Sequence, residues 1–265
     1  MRIAVVTDIH ANLTALDAVI ADLRTASVDL VVHGGDLVSG GPRPAEVIDR
    51  VHELNWPGVY GNTEEMLWKP HRVWETLHAS HLHRIRDVIL SYTIPATLTQ
   101  IGDERLAWLK GLPLRWSNGD LAVVHAGPDD PWHFTPASAP DTDLEAVYGG
   151  LRAKVVVYGH IHQPFVRQLS SFTVANAGAV GSSFDGDPRA SYALVDDHNV
   201  EIRRVAYDVE REIRLLRESA DPFAQSTAET LRSGRYVALA NTKNTQQAEE
   251  YKGHKEYEAA DLDLR

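Results

Sequence analysis

Seven side chains that can bind a metal ion, Asp8, His10, Asp36, Asn62, His125, His160 and His162, each stand where an apolar run stops. They fall in five short blocks: Thr7-Asp8-Ile9-His10, Gly34-Gly35-Asp36, Gly61-Asn62-Thr63-Glu64, Val124-His125-Ala126-Gly127 and Gly159-His160-Ile161-His162. Imidazole, carboxylate and amide oxygen form a donor set suited to Mn, Fe, Ni, Co or Zn, and the absence of cysteine excludes thiolate ligands and disulfides. Asp8 and His10 are two apart, as are His160 and His162, and the period of two along an extended strand predicts that each pair points to one side. The expectation is a cradle for two divalent metal ions at one rim of a sheet. Singly, each donor has a plainer reading: an Asp after a strand is a turn or cap residue, and a lone His is a satisfied core residue. The joint pattern, a donor beside a small residue after run upon run, is what points to a metal centre.

The elements that must position these donors read as alternating strands and helices. Arg2 to Thr7 is an apolar, β-branched strand, and Asn12 sits at the N-cap of a helical pattern carrying Leu13, Leu16, Ile20 and Leu23. A second strand, Asp29 to His33, leads to Asp36; Pro44 then suits the first turn of a helix with Val47, Ile48, Val51 and Leu54. Gly58 to Tyr60 is predicted as a third short strand ending at Asn62. Residues 64–112 read as a helical, cap-like segment. Leu114 to Ser117 and Leu121 to Val124 flank Asn118-Gly119, a hairpin signal. A helix near Asp143 to Leu151 precedes the run Val155 to Tyr158, and consecutive strands follow at Pro164 to Leu169, Phe172 to Ala175, Ser191 to Val195 and Val200 to Ala206, then a helix over Glu210 to Arg217. Strand-helix units of this kind build a mostly parallel sheet with its ligands at the carboxyl ends of the strands. The main domain is predicted over residues 1–220, and residues 221–265, where apolar residues thin out, as a C-terminal tail or arm.

At 265 residues and 43% hydrophobic content the chain can build a sizeable core. No apolar run approaches the ~20 residues of a membrane span, and the start reads straight into a strand, which predicts a cytoplasmic protein. A formal charge of −11 disfavours stable nucleic-acid binding and anionic membranes. Two divalent ions set against the carboxylates of Asp8 and Asp36 would nonetheless leave the cleft positive and attract an anion.

In this order and with these spacings, Asp8-x-His10, Gly35-Asp36, Gly61-Asn62, His125 and Gly159-His160-x-His162 resemble the five-block signature of the calcineurin-like metallophosphoesterase superfamily. The stretch Asn176-Ala177-Gly178-Ala179-Val180-Gly181 is similar to a segment of its small bacterial phosphodiesterase members. The likeness runs from Met1 to about Arg217. It implies an α/β fold, a four-layer α/β/β/α sandwich with two mixed sheets. It further implies that Asp8, His10 and His162 hold one ion, that Asn62, His125 and His160 hold the other, and that Asp36 bridges them, with Asp36, Asn62 and His125 counted as catalytic. A carboxylate suits a bridge because two-metal hydrolytic sites hold their ions about 3.5–4 Å apart. The implied reaction is hydrolysis of a small, nucleotide-like phosphate ester by a hydroxide held between the ions.

One departure from the pattern is informative. Many members carry a His where Thr63 stands, thought to protonate the leaving group or orient the phosphate, and a hydroxyl is too weak an acid to replace it. Phosphodiesters, or other substrates whose leaving group departs without strong acid help, are therefore favoured; the alternative is that one of His78, His81, His83 or His133 is brought in from a loop, their plainer reading being solvent-facing helix residues. Asn12, Thr63 and Arg43 are candidate substrate-binding residues, although Asn12 also reads as a cap and Arg43 as a solvated loop residue. His33 reads as a core residue or a neighbour of the ligands, and Trp132 and Phe134 as a stacking surface or packing at the cleft mouth. The competing functions are a phosphatase for phosphomonoesters, phosphoproteins or dinucleoside polyphosphates, and a non-catalytic scaffold of the same fold. A homo-oligomer is left open.

Overall fold

The computed structural model describes residues 1–78, 82–219 and 221–238. Its order begins β1 (Arg2–Val6), α1 (Leu13–Leu23), β2 (Leu30–His33), α2 (Pro44–Glu53), α3 (Asn62–Trp68), α4 (His71–Thr76), α5 (His83–Val88) and, after a π-helical turn at Ile89–Thr93, α6 (Ile94–Lys110). It continues β3 (Arg115–Ser117), β4 (Leu121–Val124), α7 (Asp141–Tyr148), β5 (Val155–Tyr158), β6 (Phe165–Gln168), β7 (Thr173–Asn176), β8 (Ala190–Asp196), β9 (Asn199–Val205), α8 (Val209–Glu218) and α9 (Ala224–Ser233).

Two mixed sheets result. One has the order β2-β1-β8-β9, with only β1 and β2 parallel; the other has the order β3-β4-β5-β7-β6, with β4, β5 and β7 parallel. Period-two alternation decides what lies between them. Ile3, Val5, Val32, Leu121, Val123, Val155 and Val157 form a core shared by the two sheets. Their neighbours Ala4, Val6 and Val31 turn the other way onto α1, α2 and α3, while Ala122, Val124, Val156 and Tyr158 turn onto Leu144 and Tyr148 of α7. Helix, sheet, sheet and helix therefore stack as four layers. Strands buried on both faces need apolar residues at every position, which is why Val155-Val156-Val157-Tyr158 is unbroken.

Two local expectations are corrected. Gly58 to Tyr60 makes a single parallel bridge, His33 to Gly58, rather than a strand, because Pro57 lacks an N–H and the chain turns at once into α3. Beyond Asp221, the described residues form no loose arm: α9 packs Ala228 and Leu231 on Ile213 of α8, and Gly234 lies against the backbone of Asp187 while its carbonyl accepts from Gly186 N (2.7 Å). Too few large apolar residues lie there to reveal this in sequence. Residues 239–265, the rest of the expected tail, lie outside the described residues. Among the described residues no helix is long and apolar enough to cross a membrane.

Leu231 is 4% exposed, so Leu231→Ala is expected to cost about 2–5 kcal/mol in urea unfolding. A loss below about 0.5 kcal/mol would contradict the docking of α9.

Candidate metal centre

The donors sit just past the ends of β1, β2, β4 and β5 and at the start of α3, on one edge shared by the two sheets. Their backbone is not the extended strand that the spacing suggests. Asp8 (φ 54°), His10 (φ 50°), Asp36 (φ 53°), His160 (φ 65°) and His162 (φ 54°) all adopt the left-handed region. For non-glycine residues that conformation is costly, and it persists where surrounding structure dictates it. Here the dictating contacts are backbone hydrogen bonds that zip two loops together: Asp8 N to Gly35 O (3.0 Å), His10 N to Asp36 O (2.9 Å) and Ala11 N to Leu37 O (2.8 Å). The paired donors do share a side, through loop geometry rather than strand period.

All seven donors converge. His10 Nε2 lies 3.1 Å from His162 Nε2, and His162 Nε2 lies 3.3 Å from Asp8 Oδ1. In a second group, Asn62 Oδ1 lies 2.9 Å from His125 Nε2 and 2.8 Å from His160 Nδ1. Asp36 stands between them, with Oδ2 3.6 Å from His10 Nε2 and Oδ1 3.5 Å from His125 Nε2. Carboxylate and imidazole atoms of Asp8, His10 and His162, and of Asp8, Asp36 and His125, fall within 4.8 Å of one another, so each set could hold an ion.

The histidine tautomers favour cations at this site. His10 Nδ1 is 3.0 Å from Ser39 O, His162 Nδ1 bonds Ser182 O, and His125 Nδ1 is 2.9 Å from Gly34 O. A ring nitrogen facing a carbonyl must carry the proton, which leaves the lone pair on Nε2 in a neutral imidazole. Two such lone pairs therefore face each other across 3.1 Å between His10 and His162. That contact is repulsive unless a cation lies beside both. Carbonyls so placed are of the kind that orient ligand histidines in metal sites, and nothing in their residue types marks them in sequence.

Titration behaviour follows the same crowding. Burial disfavours charge on Asp8, yet His162, His125 and His10 outweigh it and hold its carboxyl far below the usual range. Burial, then the neighbouring His125, brings His160 down to about 4, and burial also lowers His10. His125 is the exception: burial lowers it, but Asp36 and Asp8 together raise it. Neutral imidazoles and ionised carboxylates are the forms a metal needs.

Close packing leaves no room for larger residues beside the donors. A Cβ on Gly61 would stand 2.1 Å from Asp36 Oδ1, and one on Gly159 would stand 2.3 Å from Asp8 Oδ2. Glu64, at the end of the Gly61-Asn62-Thr63-Glu64 block, carries no metal-ligand expectation from the sequence. Fully buried, it accepts from Asp36 N (2.8 Å), Leu37 N (2.8 Å), Val38 N (3.2 Å) and Gly61 N (2.7 Å), tying the Asp36 loop to the Asn62 loop. Burial and the charge of Asp36 push its carboxyl up to about 7. A Glu three residues past a helix start is a capping signal; its reach to a second loop is tertiary. Phe184 stacks on His162 at 4.2 Å between ring centroids.

The remaining candidates divide. Asn12 is the N-cap of α1, its Oδ1 accepting from Ala15 N (2.9 Å), and it also lines the cavity beside His10. Thr63 also lines that cavity, but its hydroxyl donates to Val38 O (3.2 Å) and its N–H donates to Asp36 Oδ1 (2.9 Å). Arg43 is corrected: its guanidinium is held by Glu212 and Thr14 and lies outside the cavity lining, because a buried carboxylate binds it more firmly than solvent does. His78, His83 and His133 are exposed and line no part of the cavity; His81 lies outside the described residues. Trp132 lines the cavity with Nε1 donating to Glu65 (2.8 Å), and Phe134 tilts over His160. His33 is a core residue, fully buried, with no hydrogen bond to either ring nitrogen.

A family model described as the calcineurin-like phosphoesterase superfamily domain matches residues 1–199. A metallophosphoesterase from Sphaerobacter thermophilus is 29% identical, with a TM-score of 0.71 over 88% of this chain and all of that one. An uncharacterized protein of Methanocaldococcus jannaschii is 28% identical over 79% of this chain and 89% of its own length. A symmetrical bis(5'-nucleosyl)-tetraphosphatase of Aromatoleum aromaticum is 35% identical, over 44% of this chain and 40% of that protein.

Burial brings the His33 imidazole down to about 3 from an ordinary 6.5. The unfolded chain therefore binds the extra proton first, and stability present above pH 6.5 is lost as pH falls toward 3, by up to about 1.4 kcal/mol per pH unit. His33→Leu is expected to flatten this part of the pH-stability curve in urea titrations; identical pH slopes in both proteins would contradict the assignment.

Proposed function

The chain belongs to the calcineurin-like phosphoesterase superfamily, and from that premise we propose that it is a dinuclear-metal phosphodiesterase. The observation that carries the reading is the position of Asp36, one oxygen toward His10 and the other toward His125. A carboxylate held between two donor groups is what a paired-cation site requires. Asp8, His10 and His162 would hold one ion, Asn62, His125 and His160 the other, and Asp36 both. Manganese is the preferred ion, as a metal that oxygen and imidazole donors serve together. When bound, the ions would supply positive charge for phosphate oxygens and lower the pKa of water.

The protein's own part is to fix the donors in neutral-imidazole and carboxylate form, through Gly34 O, Ser39 O, Ser182 O and the Glu64 brace. Asn62 adds an oxygen without adding negative charge, which keeps the centre cationic for a phosphate anion. Diesters are favoured over monoesters because, among the described residues, no histidine other than His10 and His162 lines the cleft to act as an acid toward the leaving group. The Thr63 hydroxyl is turned to Val38 O, and the exposed histidines stand away from the cavity. A dinucleoside polyphosphatase is the second reading, supported by the partial likeness to the bacterial tetraphosphatase.

Chelator treatment is expected to abolish hydrolysis of bis(p-nitrophenyl) phosphate, and Mn2+ to restore it, with diester turnover exceeding that of the matching monoester. Asp36→Ala should stay folded and lose at least about a hundredfold in kcat, the scale of a lost charge-stabilising group. Full activity in that variant, or in metal-free protein, contradicts the proposal.

A further inference from the structure

Beside His10, Asn62 and His162 opens a cavity of about 310 Å³. Its walls come from elements remote in sequence: Met66 on α3, Ile89 on the π-helical turn, Trp132 and Phe184 on loops, and Phe223 and Leu231 at and within α9. Among the described residues no Lys or Arg lines it, and apart from His10 and His162 its ionisable side chains are Glu212, Asp221 and Tyr236. Glu212 is already paired with Arg43, and burial raises the carboxyl of Asp221.

A second phosphate placed in this space would meet carboxylates, apolar side chains and neutral hydroxyls such as those of Ser226, Thr227 and Thr230, with no Lys or Arg among the described residues to balance its charge. An uncharged ring or alkyl chain would bury apolar area against apolar area. We infer that the cavity selects the organic group of an ester carrying one phosphate, taking an uncharged aromatic or aliphatic substituent and disfavouring polyphosphate chains. This rests on the phosphoesterase reading, since the metal pair is what would hold the single phosphate at the cavity mouth. It also separates the two readings above: a dinucleoside polyphosphate extends anionic oxygens where this cavity, among the described residues, offers no Lys or Arg to neutralise them.

The test titrates the full-length, Mn2+-loaded protein with methyl, butyl and hexyl phosphate by calorimetry. Each fully buried methylene is worth about fourfold in affinity, so hexyl phosphate is expected to bind at least about tenfold tighter than methyl phosphate. Phe223→Gln and Ile89→Gln, which line the cavity from the start of α9 and from the π-helical turn, should each reduce that hexyl-to-methyl ratio to less than about a third, so that a folding failure in one leaves the other. Affinity independent of chain length overturns the inference, as does a ratio unchanged in both variants. The same samples assayed with bis(p-nitrophenyl) phosphate keep the two failures apart: no turnover sinks the phosphoesterase reading, whereas turnover without a chain-length effect sinks only the cavity's role.

Discussion

Seven lone-pair donors held within a few ångströms of one another repel, and the rest of the fold is arranged around that constraint. His10 and His162 face each other at 3.1 Å, and His125 and His160 at 3.2 Å. Each of these contacts places nitrogen against nitrogen in a buried, weakly screened setting. A sheet edge alone would let such groups swing apart. What prevents it is a ring of outer contacts: carbonyls that hold the imidazole tautomers, the carboxylate of Glu64 that gathers four backbone N–H groups, and left-handed backbone at five of the donors.

Layering supplies the rigidity those contacts need. β1 and β5 belong to different sheets, yet Val5 and Val157 share one core between them, so the loops that follow the two strands emerge side by side. Asp8 then reaches across the gap and accepts from His160 N at 3.0 Å. Asn176 at the end of β7 donates to Gly159 O and pins the same loop from the other side. The donors from the first half of the chain and those from the second are thus joined by hydrogen bonds as well as by packing. The apolar cavity is a separate matter. It is closed by α9 and the residues after it, which the family match does not cover.

Much of this was legible because metal chemistry restricts residue type. Asp8, His10, Asp36, Asn62, His125, His160 and His162 could be named from their positions after apolar runs; those runs also marked most of the strands, whereas their division into two mixed sheets came only from the family resemblance. The reason offered for the Asp8/His10 and His160/His162 pairs did not hold, since period two describes strands and these residues lie in loops with positive φ. Ser39, Ser182 and Gly34 act through backbone oxygens, which any residue possesses, so no sequence signal could mark them. Arg43 was misplaced because its partner Glu212 lies 169 residues away. α9 escaped notice because its contact with Ile213 depends on small residues such as Ala228, which read as polar tail when taken alone.

Metal content of the purified, reconstituted protein tests the central claim most directly. Elemental analysis after incubation with Mn2+ and removal of free ion is expected to find about two ions per chain, and about one or fewer in Asp36→Ala, whose substitution takes away the shared carboxylate. Retention of two ions by Asp36→Ala would contradict a bridging role, and failure of the unaltered protein to retain any ion would contradict the paired-cation site itself.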